Sequence, residues 1–343
     1  MKHSLLVAGN VYSGLSHFAL AGLSLLARSL SDGVVTTHWN NEPTPRGVLE
    51  TEDIAPEDIA VEMKRLSRSW FQGWTSIRVH YAGGEFSPFS PRFMRIDPRK
   101  NPGDWSKHQQ ARTAALDKLC AENDQLALQL IQSLGEAAYW RFVGKDPRPD
   151  HGASRWEMKT RNRGEEFVSQ KLFKYVEALS DWDTEDILAG LTGQRVEDPF
   201  GEDASRTPSG FTPPTRTDLA LAFAALIGIG QFPVSARAQL MALTPCAYPD
   251  TALHTKVAVL PVPIAPLTPE RFEGIVLSQE WASVVNDLGA KEIGRTPENL
   301  LHDCAVTALQ QFNVPAAAVF RVQRIGSEQA PERYFERGKV RLL

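Results

Sequence analysis

The sequence predicts an α+β fold in which short strands form mixed sheets beside several long helices, arranged as two lobes. Apolar residues at helical spacing alternate along the chain with short strand-like segments. Residues 107–142 contain no proline and repeat apolar residues at helical spacing, which predicts a long helical region. An acidic, proline-containing segment then divides the chain. The chain has 343 residues, a length that suits either one large domain or two lobes.

The first third of the chain is expected to alternate strands and helices. A short buried strand is predicted at residues 4–8, and Ser16 is predicted to N-cap a helix that runs from His17 to about Leu30. The same reasoning from composition and periodicity predicts strands at residues 34–39, 76–81 and 92–97, and a helix at residues 56–71.

The middle and end of the chain are expected to be largely helical. The proline-free region 107–142 forms one long helix, or two helices with a break near Asn123 or Gly135. Thr296 followed by Pro297 is a typical helix start. Periodicity predicts further helices at residues 164–179, 217–231 and 296–312, and a closing strand at residues 314–325.

Residues 176–218 predict the boundary between the lobes. They contain ten acidic and three basic residues, a balance of −7, with four prolines in the second half. We expect an N-terminal α+β lobe at residues 1–200, a linker at 201–216 and a C-terminal α+β lobe at 217–343. The apolar helices within residues 15–28 and 219–237 resemble each other, and each has an interior glycine. They are either two ordinary buried helices or parts of two lobes built on a similar plan.

Composition limits the class of protein. The net charge of −4 means that any nucleic-acid contact must come from a local basic face. The three cysteines are far apart and form no CxxC pair, which argues against a disulfide framework or a cysteine zinc site. Gly9 interrupts the first apolar run, so the N-terminus reads as strand and helix rather than as a signal peptide. We expect a cytoplasmic protein without a membrane partner.

Catalytic motifs are absent from the sequence. No Gly-Lys-Ser/Thr phosphate loop and no Gly-x-Ser-x-Gly elbow occurs, and no cofactor is expected. Potential metal ligands are the neighbouring pair Asp150 and His151, and the triplet His302, Asp303 and Cys304. Neighbours on a helix point about 100° apart, so the triplet cannot face one metal ion. We therefore assign neither a catalytic nor a metal site, although a metal-dependent hydrolase assembled from these distant residues stays an alternative.

Two basic segments are the best candidates for a binding site. Residues 60–115 contain ten Lys and Arg against four Asp and Glu, and residues 141–175 contain nine against five. Such side chains neutralise phosphates, and neighbouring aromatic rings can stack on unpaired bases. The alternative is a solvated surface, or pairing with the acidic stretch. The predicted nucleic-acid-binding residues are Arg92, Arg95, Arg99, Lys100, Lys107, Arg112, Arg155, Trp156, Lys159, Arg161 and Arg163.

Three segments resemble a known protein family. Residues 15–27 (LSHFALAGLSLLA), followed by a strand ending at His38 and Trp39, look like the opening of large-subunit-type proteins of type I-U (I-G) CRISPR–Cas interference complexes. Residues 219–232 are similar to that family's second apolar helix, and residues 265–271 (APLTPER) to its Pro-Leu turn before a helix. The resemblance covers about a third of the chain, in pieces.

The resemblance implies a non-catalytic subunit of an RNA-guided antiviral ribonucleoprotein complex. Its partners would be CRISPR RNA, target DNA or both, together with other subunits of the complex. The family supplies no catalytic residues to assign. Two other functions stay open from the residues alone: a metal-dependent hydrolase acting on nucleic acid, and a protein-binding scaffold without nucleic-acid contact.

Overall fold

The computed structural model confirms the α+β class. It describes residues 2–81, 84–92, 96–97, 99–158, 166–200, 209–297, 303–327 and 331–343. Within these residues the helices are α1 (Gly14–Leu30), α2 (Pro56–Gln72), α3 (Pro102–Ala121), α4 (Gln125–Leu134), α5 (Phe173–Ser180), α6 (Thr184–Thr192), α7 (Leu219–Ile227), α8 (Pro269–Val276), α9 (Gln279–Glu292) and α10 (Asp303–Gln311). The strands are β1 (His3–Leu6), β2 (Val35–Trp39), β3 (Gly47–Thr51), β4 (Val79–Tyr81), β5 (Gly84–Phe86), β6 (Phe142–Val143), β7 (Asp146–Pro147), β8 (Ala247–Tyr248), β9 (Val257–Val262), β10 (Ala316–Gly326), β11 (Pro331–Phe335) and β12 (Lys339–Leu342).

The first sheet contains three antiparallel strands in the order β1–β3–β2. Helix α1 connects its first two strands in sequence. This helix begins at Gly14 and is capped by Ser13, whose side chain accepts a hydrogen bond from the backbone of Ser16. The expectation that Ser16 is the cap is wrong, because the Ser16 hydroxyl instead donates to the carbonyl of Ala8 at 2.9 Å.

The second sheet contains five antiparallel strands. Its order is β11–β10–β9–β8, and β12 also pairs with β10. Strand β9 is buried along its whole length, as expected for a central strand. Backbone bonds in both directions between Thr37 of β2 and Leu267 connect the first sheet to the segment that follows β9. The closing strand β10 confirms the sequence expectation, whereas the sequence did not indicate β11 and β12.

Helices α1 and α7 cross at the centre of the core through two glycines. A Cβ atom added to Gly22 would lie 1.8 Å from the carbonyl oxygen of Ala224, and one added to Gly228 would lie 1.9 Å from that of Phe18. The two backbones approach so closely because neither glycine carries a side chain. The resemblance between these two sequence segments therefore corresponds to a mutual packing contact.

The proline-free region forms two helices rather than one. Helix α3 ends before Asn123, which has a φ of 55°, and the Asp124 side chain caps α4 by accepting from the backbone of Ala127 at 3.0 Å. Helix α4 ends at Gly135, with a φ of 88°. Both expected break points are confirmed, but residues 136–142 are not helical.

Buried side chains from both halves of the chain belong to one hydrophobic core. The ring of Phe18 stacks on Phe211 with centroids 3.9 Å apart and meets Trp156 edge to face. Residues 201–208 of the predicted linker lie outside the described residues, while Phe211 in its second half is fully buried. The division into two lobes stays a prediction. None of the described helices is long and apolar enough to span a membrane.

Candidate nucleic-acid interface

The predicted binding residues fall into three groups. Arg95, Lys159, Arg161 and Arg163 lie outside the described residues. Four others are buried, with at most 8% of their surface exposed: Arg92, Arg112, Arg155 and Trp156. The remaining three are exposed on the surface: Arg99, Lys100 and Lys107.

Arg92 is neutralised inside the protein. Its Nε atom lies 2.6 Å from Oε2 of Glu157, and the two side chains are 3% and 1% exposed. One of its other nitrogens donates to the carbonyl of Ser154 at 3.0 Å. Arg112 likewise donates to the carbonyl of Pro88 at 3.1 Å and of Gly135 at 3.4 Å. Both guanidinium groups therefore hold separate chain segments together in this structure.

Arg155 binds a loop that is about ninety residues away in sequence. Its guanidinium group donates to the carbonyls of Ala252 at 2.8 Å, Ala242 at 2.6 Å and Asp250 at 2.7 Å. Burial, followed by the nearby positive charge of Arg92, lowers its pKa to about 10. Since the Arg155 side chain is buried among these carbonyls, it is not exposed to a phosphate in solution.

Trp156 lies in the aromatic core. Its ring is fully buried and contacts Phe18, Phe232 and Phe335 edge to face, with centroids 5.4–6.1 Å apart. Base stacking needs an exposed ring face, which this side chain does not present. The four buried residues are thus structural in this conformation, because charge and aromaticity along a sequence do not distinguish a buried partner from a solvent-exposed one.

A basic and aromatic surface forms where the chain leaves α4. Strands β6 and β7 pair through Phe142 with Pro147 and Val143 with Asp146, around a turn in which Gly144 has a φ of 61°. The Arg99 guanidinium lies 4.4 Å from the centroid of the Phe142 ring, which brings the start of α3 beside this hairpin. We call this surface the hairpin face and define it by Arg99, Lys100, Lys107, Tyr139, Trp140, Arg141, Phe142, Lys145 and Arg148.

The hairpin face includes two exposed aromatic rings. Tyr139 and Trp140 are 38% and 40% exposed, and their ring centroids lie 5.0 Å apart. Tyr139 also packs against the buried ring of Trp105 at 5.5 Å, which supports it from below. Large exposed rings held by packing are typical of binding surfaces.

The cations of the hairpin face differ in how far they are already paired. Arg148 lies 3.7 Å from the Asp146 carboxylate, and both Arg99 and Lys100 lie within 4.0 Å of Asp97. Lys107 donates to the carbonyl of His80 at 2.6 Å. Arg141 and Lys145 form no ion pair with any residue that the structure describes. Because exposed ion pairs are weak, all six cations can neutralise a bound phosphate.

Sequence reasoning missed six residues of this surface. Lys145 and Arg148 were not singled out within their basic segment, and four residues were expected inside a helix: Tyr139, Trp140, Arg141 and Phe142. The usable signal was the cluster Tyr-Trp-Arg-Phe between Gly135 and Gly144. Two glycines at this spacing indicate turns, and turns expose the side chains between them.

A groove of about 390 Å³ opens beside Trp140. It lies between α3, α4, the segment 135–152 and the segment 234–242. Apolar side chains form its walls, and polar groups of Gln132, Glu136, His151 and Arg237 reach into it. Burial lowers the pKa of His151; Asp150 opposes this, and Arg141, Arg148 and Arg155 add to it. The lowered pKa favours the neutral form of His151.

The potential metal ligands do not converge within the described residues. Asp150 and His151 lie in a short 3-10 turn after β7, whereas Asp303 is at the exposed start of α10. His302 lies outside the described residues. No three His, Cys, Asp or Glu side chains in the described part of the chain are placed to hold a metal ion.

The geometry of the hairpin face suits a polyanion with planar rings. Its cations can neutralise phosphates, its exposed rings can stack on bases, and the adjoining groove offers hydrogen-bonding groups at the base of apolar walls. Neither a protein-family model, nor a curated protein, nor a solved structure matches this chain.

Proposed function

We propose that this protein is a non-catalytic, nucleic-acid-binding subunit of a CRISPR RNA-guided interference complex that acts in antiviral defence in the cytoplasm. The observation that carries the proposal is the hairpin face, which combines six cations with the exposed rings of Tyr139 and Trp140. The resemblance of residues 15–27, 219–232 and 265–271 to large-subunit-type proteins supports the assignment to such a complex. Its partners would be CRISPR RNA, target DNA or both, and the other subunits.

Contacts with other subunits have a second surface available. Ile264, Phe312 and Leu342 are 60%, 46% and 84% exposed. They lie at one end of the five-stranded sheet, since Ile264 donates its backbone N–H to Asn313 and Leu342 pairs with Ala316. Exposed apolar side chains that lie together are typical of protein–protein contacts. This surface also favours the second candidate function, a protein-binding scaffold.

The proposal predicts a salt-dependent affinity that depends on the hairpin face. We would replace Lys107 and Lys145 together by Glu. The control is a variant in which Lys174 and Lys256 are both replaced by Glu. These control lysines are exposed on α5 and just before β9, so both variants change the net charge equally. Binding of single-stranded RNA and DNA would be followed by fluorescence anisotropy at increasing salt concentrations.

The hairpin-face variant should bind at least tenfold more weakly than wild type, and its salt dependence should be less steep by about 1.4 logarithmic units per decade of salt. The control variant should bind like wild type. A wild-type protein that, with its co-expressed neighbours, binds no nucleic acid would contradict the proposal. If those neighbours still co-purify without RNA, the scaffold function would be supported instead.

A further inference from the structure

We propose that the groove beside Trp140 binds one unpaired nucleobase of a single strand. This inference rests on the proposed function and names its ligand: a strand whose bases are free, rather than a duplex. Trp140 would stack on the base at the rim of the groove, while Arg141 and Lys145 would contact the adjoining phosphates.

The size and walls of the groove fit a planar ring. Its volume of about 390 Å³ lies within the range of pockets that bind small ligands. Leu128, Ile131 and Val234 supply apolar walls, and Trp140 lines the groove with 40% of its surface exposed. A base placed there would exchange solvent for apolar contacts on both of its faces.

Polar groups in the groove fit the edge of a base. Gln132 offers an amide that can donate and accept, and Glu136 offers an acceptor. The Nδ1 atom of His151 is buried and has no hydrogen-bond partner among the described residues. Arg237 is fixed at the opposite side, because it donates to the Met241 carbonyl at 2.7 Å and to the Asp250 carboxylate at 3.1 Å.

The charge around the groove favours a nucleotide over an apolar peptide. Arg112 and Arg237 line the groove, and Arg141 and Arg148 lie close enough to His151 to influence its charge. Arg141 forms no ion pair with any described residue, so a peptide that filled the groove with an apolar side chain would leave this cation without an anionic partner. A nucleotide supplies both a ring for the walls and a phosphate for the cations.

The test compares variants that remove or fill the groove with a matched control. Trp140→Ala removes the stacking ring, and Trp140→Phe keeps one. Ala236→Trp fills the groove from an exposed wall position, and Ala114→Trp places the same ring on the exposed side of α3. The full-length proteins would be titrated with a short oligothymidylate, with the matching oligouridylate, with an abasic strand of equal length, and with a duplex.

Wild type should bind both base-containing strands roughly tenfold more tightly than the abasic strand, in keeping with the strength of base–aromatic stacking. Trp140→Ala and Ala236→Trp should abolish that difference, while Trp140→Phe and Ala114→Trp should preserve it. Equal binding of base-containing and abasic strands by wild type would overturn the inference, as would unchanged discrimination in Ala236→Trp. In both cases salt-dependent binding would leave the proposed function standing, whereas the absence of all binding would remove both.

Discussion

The buried pair of Arg92 and Glu157 gives the sharpest prediction, because it separates a structural arginine from a nucleic-acid contact. Its atoms lie 2.6 Å apart at sites with almost no exposure. Removing one partner of such a pair leaves a buried charge and typically costs about 3–5 kcal/mol. Replacing both partners by apolar residues of similar size is often neutral. Arg92→Met, Glu157→Gln and the double variant Arg92→Met with Glu157→Leu therefore form an informative set.

The two single variants should respond differently to pH. In Arg92→Met the Glu157 carboxylate loses the guanidinium that lies 2.6 Å away and can take up a proton. From an ordinary pKa of about 4.3, this protonation costs about 4 kcal/mol at pH 7 and about 1 kcal/mol at pH 5. The buried carboxyl then has a raised pKa, so the variant regains stability as the pH falls. In Glu157→Gln the isolated Arg92 stays charged near Arg155 and Arg333, whose pKa values burial and then Arg92 lower to about 10.

Free energies of unfolding from urea titrations at pH 5 and pH 7 would measure this difference. We expect Arg92→Met to lose about 4 kcal/mol at pH 7 and much less at pH 5, and Glu157→Gln to lose about 3–5 kcal/mol at both. The double variant should be within about 1 kcal/mol of wild type. A double variant as unstable as either single variant would refute a structural role for the pair. An Arg92→Met variant that is fully stable but fails to bind nucleic acid would refute it as well.

Two further predictions concern the core. Gly22→Ala and Gly228→Ala should each lower the free energy of unfolding by about 3 kcal/mol, because the added methyl group would overlap a backbone carbonyl. The control variant Gly274→Ala in α8, whose added methyl group meets nothing within 4 Å, should be as stable as wild type or about 1 kcal/mol more stable. Thermal unfolding would measure all three variants, and equal effects in them would contradict the predicted overlap. Burial lowers the pKa of His17 to about 4, so the folded state holds the imidazole neutral while the unfolded chain already takes up a proton. The free energy of unfolding should therefore fall by about 3 kcal/mol between pH 6.5 and pH 4. Denaturant titrations across this range should show a smaller loss for His17→Gln, and parallel curves would exclude the effect.

Local backbone signals predicted much of the fold. Apolar periodicity located α1, α2 and α7, and the break points at Asn123 and Gly135 followed from residues that tolerate a positive φ. The strands β11 and β12 were not indicated, because both are short and half exposed and therefore carry no strong apolar pattern. Both strands form by pairing with β10, and such a contact between distant segments is not visible in the local sequence.

The site was harder to predict than the fold, because a charge has no preferred location until its partner is known. Arg155 bonds to carbonyls of residues 242–252, and Arg92 pairs with Glu157 across more than sixty residues. Counting basic residues along the chain gave all of these positions equal weight. Lys107 and Lys145 differ from Arg92 and Arg155 in being exposed, and this exposure depends on the folded structure rather than on the local sequence.

The hairpin face and the groove share one structural support, which connects the fold to the proposed function. A Cβ atom at Gly135 would lie 2.2 Å from the carbonyl oxygen of Gly152, and one at Gly152 would lie 1.9 Å from that of Glu136. Only glycines permit this contact, which fixes both ends of the segment that carries Trp140. Because the segment is held in place before a ligand arrives, binding would lose little conformational freedom. In the proposed complex a planar base would cover the exposed face of Trp140, so Gly135, which ends α4, and its partner Gly152 would also hold the proposed site in place.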